Sequence, residues 1–253
     1  MVSGHGATHC GKVRRHNEDG MLVEDRLGLF AVADGMGGHN AGEVASALAL
    51  ESLDGFLERS NQDRELTWPF GIESTLDYNG NRLRTAVKLA NRRVFRESES
   101  RDQYTGMGTT LAVVLADGPC ATICGVGDSR VYLVRAGNIE RLTQDHTWVE
   151  TLLAQNPTMS RASLADHPMR HVLTKVIGGQ DDVEVTITSR PLVAGDRFVI
   201  CSDGVHGALD EARIAQIVRS AADTKSAADR LVAEALDLDG EDNLTAVVAG
   251  VSG

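Results

Sequence analysis

Apolar residues along the chain fall into two rhythms. Residues 20–35, GMLVEDRLGLFAVADG, predict two strands joined by a turn over 25–28, since short apolar runs flank Asp25, Arg26 and Gly28. From Ala41 the period lengthens: Val44, Ala45, Leu48, Ala49, Leu53, Phe56 and Leu57 share one helix face. Residues 59–79 hold Pro69 and Gly71 and predict a connection, after which Leu83, Val87, Ala90 and Val94 mark a second helix. TTLAVVLAD, CATICGVGD, RVYLVRAG and NIERLT then predict successive short strands with hairpin turns. Trp148, Leu152 and Leu153 suggest a short helix, and the polar stretch 159–171 with Pro168 predicts a mobile excursion. DVEVTITS and DRFVICSDG predict further strands, helical patterns surround 214–218 and 231–236, and NLTAVVAGV predicts a last strand. Hairpin-linked strands imply antiparallel sheets, and amphipathic helices must cover a sheet face. The expected class is α+β: a central sandwich of two mainly antiparallel sheets flanked by helices, with residues 1–253 forming one domain.

Charge narrows the function. Asp plus Glu number 36 against 25 Lys plus Arg, a net charge of -11. A surface this acidic disfavours nucleic acid and anionic lipid and is compatible with divalent cations. No apolar run is long enough to span a bilayer, and no basic-then-apolar leader opens the chain, so a cytoplasmic location is expected. Cys10, Cys120, Cys124 and Cys201 form no CxxC pair and read as reduced, buried core residues.

Five aspartates then share one grammar, each beside glycine or another polar residue at the edge of an apolar strand. They are Asp19 in RHNED, Asp34 in AVADGMGG, Asp128 in GVGDSRVY, Asp203 in VICSDGV and Asp242 in GEDNLTAVV. One such Asp alone is a turn former. Five, carried by strands that pack in one core, can converge, and convergent carboxylates need a cation partner. An all-oxygen set favours Mg²⁺ or Mn²⁺ over zinc. Glycine after Asp34 lets backbone approach closely, and the Gly35 carbonyl is itself a candidate ligand. Arg14 and Arg15 precede Asn17, Glu18 and Asp19; the alternatives are a solvated pair or a guanidinium fork for a phosphate beside the metals. Carboxylates plus arginine point to two-metal phosphoryl hydrolysis.

The ordered set GKVRRHNED (11–19), ADGMGGHNAGE (33–43), GMGTTL (106–111), GDSRVYL (127–133), LTQDHT (142–147), CSDGV (201–205) and EDNLTAVV (241–248) closely resembles the bacterial PPM/PP2C family of metal-dependent protein serine/threonine phosphatases. The resemblance implies two antiparallel sheets with outer helices and two Mn²⁺ or Mg²⁺ ions at the sheet edge. It implies that Asp34 bridges the ions, that the Gly35 carbonyl binds one and that Asp203 and Asp242 bind the other. Asp19 and Glu18 would act through water on the metals, and Asp128 would hold a third, weaker ion with Asp203. Arg14 would bind the substrate phosphate, and activated water would attack phosphorus without a covalent enzyme intermediate. The implied partners are phosphoserine and phosphothreonine proteins and a cognate serine/threonine kinase, the implied state a monomer.

One position departs from many animal relatives, which read Asp-Gly-His. Here Met36 stands there and cannot donate a proton; His39, three residues on, is a candidate for the leaving group or for a helix entry. His146 reads as structural. The excursion holds Arg161, His167, Arg170 and His171, which would favour acidic phosphoproteins if they face substrate. Two rivals stand beside the phosphatase: a non-catalytic binding module, opposed by the presence of every ligand position, and a hydrolase of nucleotides or nucleic acid, opposed by the charge and by the lack of an aromatic-basic patch.

Overall fold

A computed structural model describes every residue except 39–40, 64–65 and 165–166. Strand β1 (Val2–His9) opens the chain, followed by β2 (Asp19–Glu24), β3 (Leu29–Met36) and the helices α1 (Ala41–Gln62) and α2 (Tyr78–Ser100). Then come β4 (Gly108–Thr109), β5 (Leu111–Asp117), β6 (Cys120–Val126), β7 (Arg130–Arg135), β8 (Asn138–Arg141) and α3 (Trp148–Gln155). The last third holds β9 (Ile187–Pro191), β10 (Arg197–Cys201), α4 (Asp203–Ala208), α5 (Glu211–Ser220), α6 (Thr224–Leu238) and β11 (Leu244–Val251). One sheet runs β1-β11-β10-β7-β8; the other runs β2-β3-β5-β6-β9, with β4 beside β3. Every described pairing is antiparallel.

The sheets stack face to face with helices outside both. Between the sheets, Phe30, Val32, Val114 and Ile123 meet Val131, Phe198, Ile200 and Val247. On the outer face of one sheet, Leu29, Ala31 and Ala33 pack against Leu53, Leu57, Leu83 and Val87 of α1 and α2. On the outer face of the other, Tyr132, Val199 and Val248 pack against Ile214, Ile217 and Leu231 of α5 and α6. A strand covered on both faces must be apolar at every position, which is why LFAVA shows no alternation.

Two expectations need correction, and one strand leaves no hydrophobic trace. Residues 2–9 carry glycine, histidine and threonine rather than a hydrophobic rhythm, yet β1 pairs with β11 from Val2↔Val251 to His9↔Leu244. Small residues are required there: a Cβ on Gly4 would lie 2.5 Å from the Phe30 ring. The strand expected over 182–189 begins only at Ile187, because the preceding residues are tied across α2. Lys88 Nζ donates to Asp182 at 2.6 Å, and Asn91 Nδ2 donates to the Gln180 and Asp181 carbonyls. The cysteines are all free, but only Cys124 and Cys201 are buried; Cys10 and Cys120 are half-exposed. Among its described residues the stretch 159–171 carries one 3-10 turn (Arg161–Leu164), and it leans on α3 through stacked Trp148 and His167 rings and an Arg161–Glu150 ion pair of 2.6 Å.

The start of α1 touches β3 backbone to backbone, which fixes the end of β3 in space. A Cβ on Gly35 would lie 2.0 Å from the Gly42 carbonyl oxygen and 2.7 Å from that of Glu18. Gly35→Ala should therefore force α1 off the sheet and destabilise the protein by about 3 kcal/mol. Denaturant unfolding reads this directly, and a change under about 0.5 kcal/mol would show that the contact yields.

Candidate metal centre

The antiparallel register of β2 and β3 sets Asp19 directly opposite Asp34. The second sheet delivers Asp203 as the first residue of α4, two residues beyond β10, and Asp242 two residues before β11. The strand end expected at Asp203 is thus a helix start. Ser202 joins the two sheets: its hydroxyl donates to Asp19 Oδ2 at 2.7 Å and accepts from the Thr245 amide at 3.1 Å. Asp19 Oδ1 is buried and has no hydrogen-bond partner among the described residues.

Backbone clamps hold the rest. The Asp34 carbonyl accepts from the Thr110 amide at 2.8 Å and the Thr109 hydroxyl at 2.9 Å, while its own amide donates to Thr110 Oγ1 at 2.9 Å. Both main-chain groups of Asp34 are therefore spoken for, and its carboxyl is left to the site. Thr110 Oγ1 in turn lies 2.6 Å from Ser129 Oγ, next to Asp128. The Asp128 carbonyl accepts from His206 Nε2 at 2.9 Å, so the proton of that imidazole sits on Nε2. Burial lowers the His206 pKa to about 4, which keeps the ring neutral.

Asn243 is the hinge between the acidic segments. Its amide nitrogen donates to the carbonyls of Cys10 (2.9 Å) and His16 (3.0 Å), and its Oδ1 accepts from the Glu18 amide at 2.8 Å. Its backbone amide donates to Asp242 Oδ1 at 2.8 Å. The loop before β2 is thereby bolted to the start of β11. The Glu18 carbonyl accepts from Gly35 and from Ser46 Oγ at 2.7 Å. Burial raises the Glu18 pKa against the pull of Arg14.

The aspartates feel one another. Burial, then Asp19, Asp203, Asp128 and Asp242 in turn, drive the Asp34 carboxyl well above the usual range. Burial pushes Asp19 up to about 6, with the Thr245 and Ser202 hydrogen bonds opposing and Asp203 and Asp242 assisting. Asp128 rises to about 7 through burial, Asp203 and Asp145. Asp203 is raised by burial and by Asp242. Arg14 donates to Asp242 Oδ2 at 2.8 Å and remains half-exposed. Asp19, Asp128, Asp203, Asp242 and Arg14 thus lie within electrostatic reach of Asp34. Among the described residues, however, no three Asp, Glu, His or Cys side chains are drawn together into a ready-made ion-binding group.

The residues fit a hard divalent cation on three counts. The candidate donors are all oxygen. Asp19 Oδ1 is a buried acceptor without a donor among the described residues. Gly35, wedged against Gly42 and Glu18, lets main chain approach the acids with no side chain between. His39 lies outside the described residues. Met36 is on the surface and Arg15 is exposed. His146 Nδ1 accepts from the Gly127 amide at 3.2 Å, a structural use. A cavity of about 620 Å³ opens beside Asp128 and Asp203, with Arg170 and His171 on its wall. Arg161 also lines it, but its charge is taken by Glu150. Ser202, Asn243, Thr110 and His206 were not singled out from the sequence, although Ser202 and Asn243 adjoin the acids in CSDG and EDN.

The family model of Protein phosphatase 2C matches residues 8–238. "Serine/threonine phosphatase stp" of Listeria welshimeri is 32% identical over 244 residues, covering 95% of this chain and 92% of its own. "Serine/threonine protein phosphatase PstP" of Mycobacterium tuberculosis is 35% identical over 241 residues, covering 95% of this chain and 43% of its own. The crystal structure of a PstP catalytic domain in complex with two manganese ions superposes with a TM-score of 0.80 at 32% identity, covering 100% of this chain and 99% of that one.

The raised aspartates set a pH trend in the metal-free protein. Between about pH 4 and 7 the unfolded chain has released protons that Asp128 still holds when folded, so this group lowers stability as pH rises through that window. His206 opposes, because the unfolded imidazole binds protons more readily than the folded one. The difference between wild type and Asp128→Asn isolates the carboxylate. The variant should be more stable at pH 8 by about 1 kcal/mol or more, an advantage that fades towards pH 4. Parallel stability curves at every pH would contradict this.

Proposed function

The chain belongs to the protein phosphatase 2C family, and from that premise we propose how its residues divide the work of a metal-dependent protein serine/threonine phosphatase. The observation that carries the reading is that Asp19 and Asp34 of one sheet lie within electrostatic reach of Asp203 and Asp242 of the other, with Arg14 already reaching Asp242. Asp34, the Gly35 carbonyl, Asp19, Asp203 and Asp242 would hold two Mn²⁺ or Mg²⁺ ions, and Asp128 with Asp203 a third, weaker one. When bound, such ions supply activation of water and neutralisation of phosphoryl charge.

The chain's own groups do the remaining work. Ser202 fixes one oxygen of Asp19 and leaves Oδ1 as a directed acceptor inside the site. Glu18, anchored through its backbone by Asn243 and Ser46, is placed to orient water from the adjoining side. Arg14 spans an exposed ion pair, and such a pair costs little to open, about 1 kcal/mol or less. Its fork is therefore free to leave Asp242 for the phosphoryl oxygens, where two parallel hydrogen bonds orient the group for attack. Met36 carries no proton to give, and His39 is proposed to serve the departing seryl or threonyl oxygen.

The substrates are phosphoproteins, and we propose that the enzyme opposes a serine/threonine kinase. Residues 1–253 are proposed to act as one catalytic domain, as a cytoplasmic monomer; both sheets contribute to the shared core between them, which supports the single unit. No described helix is long and apolar enough to cross a membrane. Retention of all five aspartates favours catalysis over a purely binding role.

Turnover of a phosphothreonine peptide, a nucleotide and single-stranded DNA, each with Mn²⁺ and with EDTA, tests the assignment. Wild type should act on the peptide alone and only with the ion. In the same assay Arg14→Ala should raise KM roughly ten- to hundredfold, the loss of about 1.5–3 kcal/mol for a charge-assisted hydrogen bond. Full activity in metal-free buffer would sink the metal assignment, and an unchanged kcat/KM would remove Arg14 from phosphate binding.

A further inference from the structure

Helix α2 is cationic in an acidic protein. It carries Arg82, Arg84, Lys88, Arg92, Arg93 and Arg96 against Glu97 and Glu99, while the chain bears a net charge of -11. Three of these arginines face Arg59 of α1 across a groove of about 540 Å³ on the outer side of the helix pair. Arg93 is engaged: it donates to Glu51 at 2.9 Å and to Ser52 at 3.2 Å. The Arg92 guanidinium lies over the Phe70 ring, 4.6 Å from its centre, which fixes its plane. Arg59 and Arg96 are exposed and have no ion-pair partner among the described residues. Glu97 of α2 also lines the groove but is paired with Arg101 at 3.1 Å, and Glu58 of α1 pairs with Arg26 at 2.8 Å.

The floor of the groove is Gly55, inside a 22-residue helix. Glycine there costs about 1 kcal/mol relative to alanine. Packing does not require it, since a Cβ at Gly55 would meet only Arg59 Nη1, at 3.6 Å. What the glycine leaves is open floor between arginines on opposite walls.

We propose that this groove docks a phosphorylated segment of a partner protein, away from the catalytic centre. A carboxylate's two oxygens satisfy one guanidinium fork, whereas a tetrahedral phosphoryl group offers oxygens to forks on both walls. Glu51 lies ten residues along α1 from Ala41, where that helix meets the acidic edge, so the groove begins about 15 Å of helix axis away. An extended partner segment of about five residues spans that distance. Only the origin of the segment, a phosphorylated protein, rests on the phosphatase reading.

The test is binding to the full chain in EDTA, where turnover is absent. The probe is a fluorescein-labelled peptide carrying two phosphoserines among acidic residues, followed by anisotropy. Wild type should bind it, and the double variant Arg59→Ala/Arg96→Ala should bind about tenfold more weakly or worse. Arg190→Ala, at a surface arginine outside both the groove and the acidic centre, should leave this affinity unchanged. The same peptide with aspartate at both phosphoserine positions should bind about tenfold more weakly to wild type. Folding of the double variant is checked by unchanged kcat/KM on p-nitrophenyl phosphate with Mn²⁺; should wild type itself lack that activity, matched melting curves serve instead, and the binding arms stand apart from the failed phosphatase reading. Equal affinity of the double variant, or equal binding of the aspartate peptide, overturns the proposal.

Discussion

Mutual repulsion among carboxylates from two separate sheets, held at one edge, is the constraint on which the rest of this structure depends. Asp19 and Asp34 come from adjacent strands of one sheet, Asp203 and Asp242 from the flanks of neighbouring strands in the other. Left in water such groups would part. Here the interlayer core of Phe30, Val32, Phe198, Ile200 and Val247 fixes how the sheets stack, and so fixes where their edges meet. Hydrophobic burial stabilises an arrangement that electrostatics alone disfavours. The result is a set of acids whose proton affinity is raised by burial and by one another, a state that a divalent cation relieves.

The local devices around the acids serve that same end. Gly35 and Gly42 let α1 press on β3 so that Asp34, near the end of that strand, is held in a fixed position. Thr109 and Thr110 occupy both backbone groups of Asp34. Asn243 satisfies two carbonyls and one amide from the loop that carries Arg14 and Glu18, and Ser202 spans the sheets to Asp19. None of these residues needs to touch substrate. Each removes a freedom by which the acids could move apart.

Much of this was legible in the chain. The helix period in 41–57 and the strand runs at 29–33, 111–117 and 197–201 come from burial on one or two faces, and burial writes itself into hydrophobicity. The five aspartates were legible because each interrupts an apolar run at a strand edge. What escaped was structure made by contacts rather than by rhythm. Strand β1 is recruited by β11 through backbone pairing, and its small residues make room for Phe30. The 182–186 stretch reads as strand, but Lys88 holds Asp182 and Asn91 holds the Gln180 and Asp181 carbonyls just before it. Asn243 and Ser202 look like ordinary turn residues until their partners, far away in sequence, are in place. Arg161 looked free to meet substrate, and Glu150 claims it.

Thermal melting of wild type and Asp34→Asn, with EDTA and with Mn²⁺, tests the convergence of the acids most directly. Two carboxylates about 4 Å apart repel by roughly 4 kcal/mol at an effective dielectric of ~20, before protonation and relaxation relieve part of it. Asp34→Asn removes one charge and keeps the shape, so in EDTA it should melt above wild type. Mn²⁺ at a hundredfold excess over Kd should stabilise wild type by about 2.7 kcal/mol and the variant much less, which narrows or reverses the order. If Asp34→Asn melts below wild type in EDTA and gains as much from Mn²⁺, then Asp34 is a structural turn residue and the acids do not form one ion-binding centre.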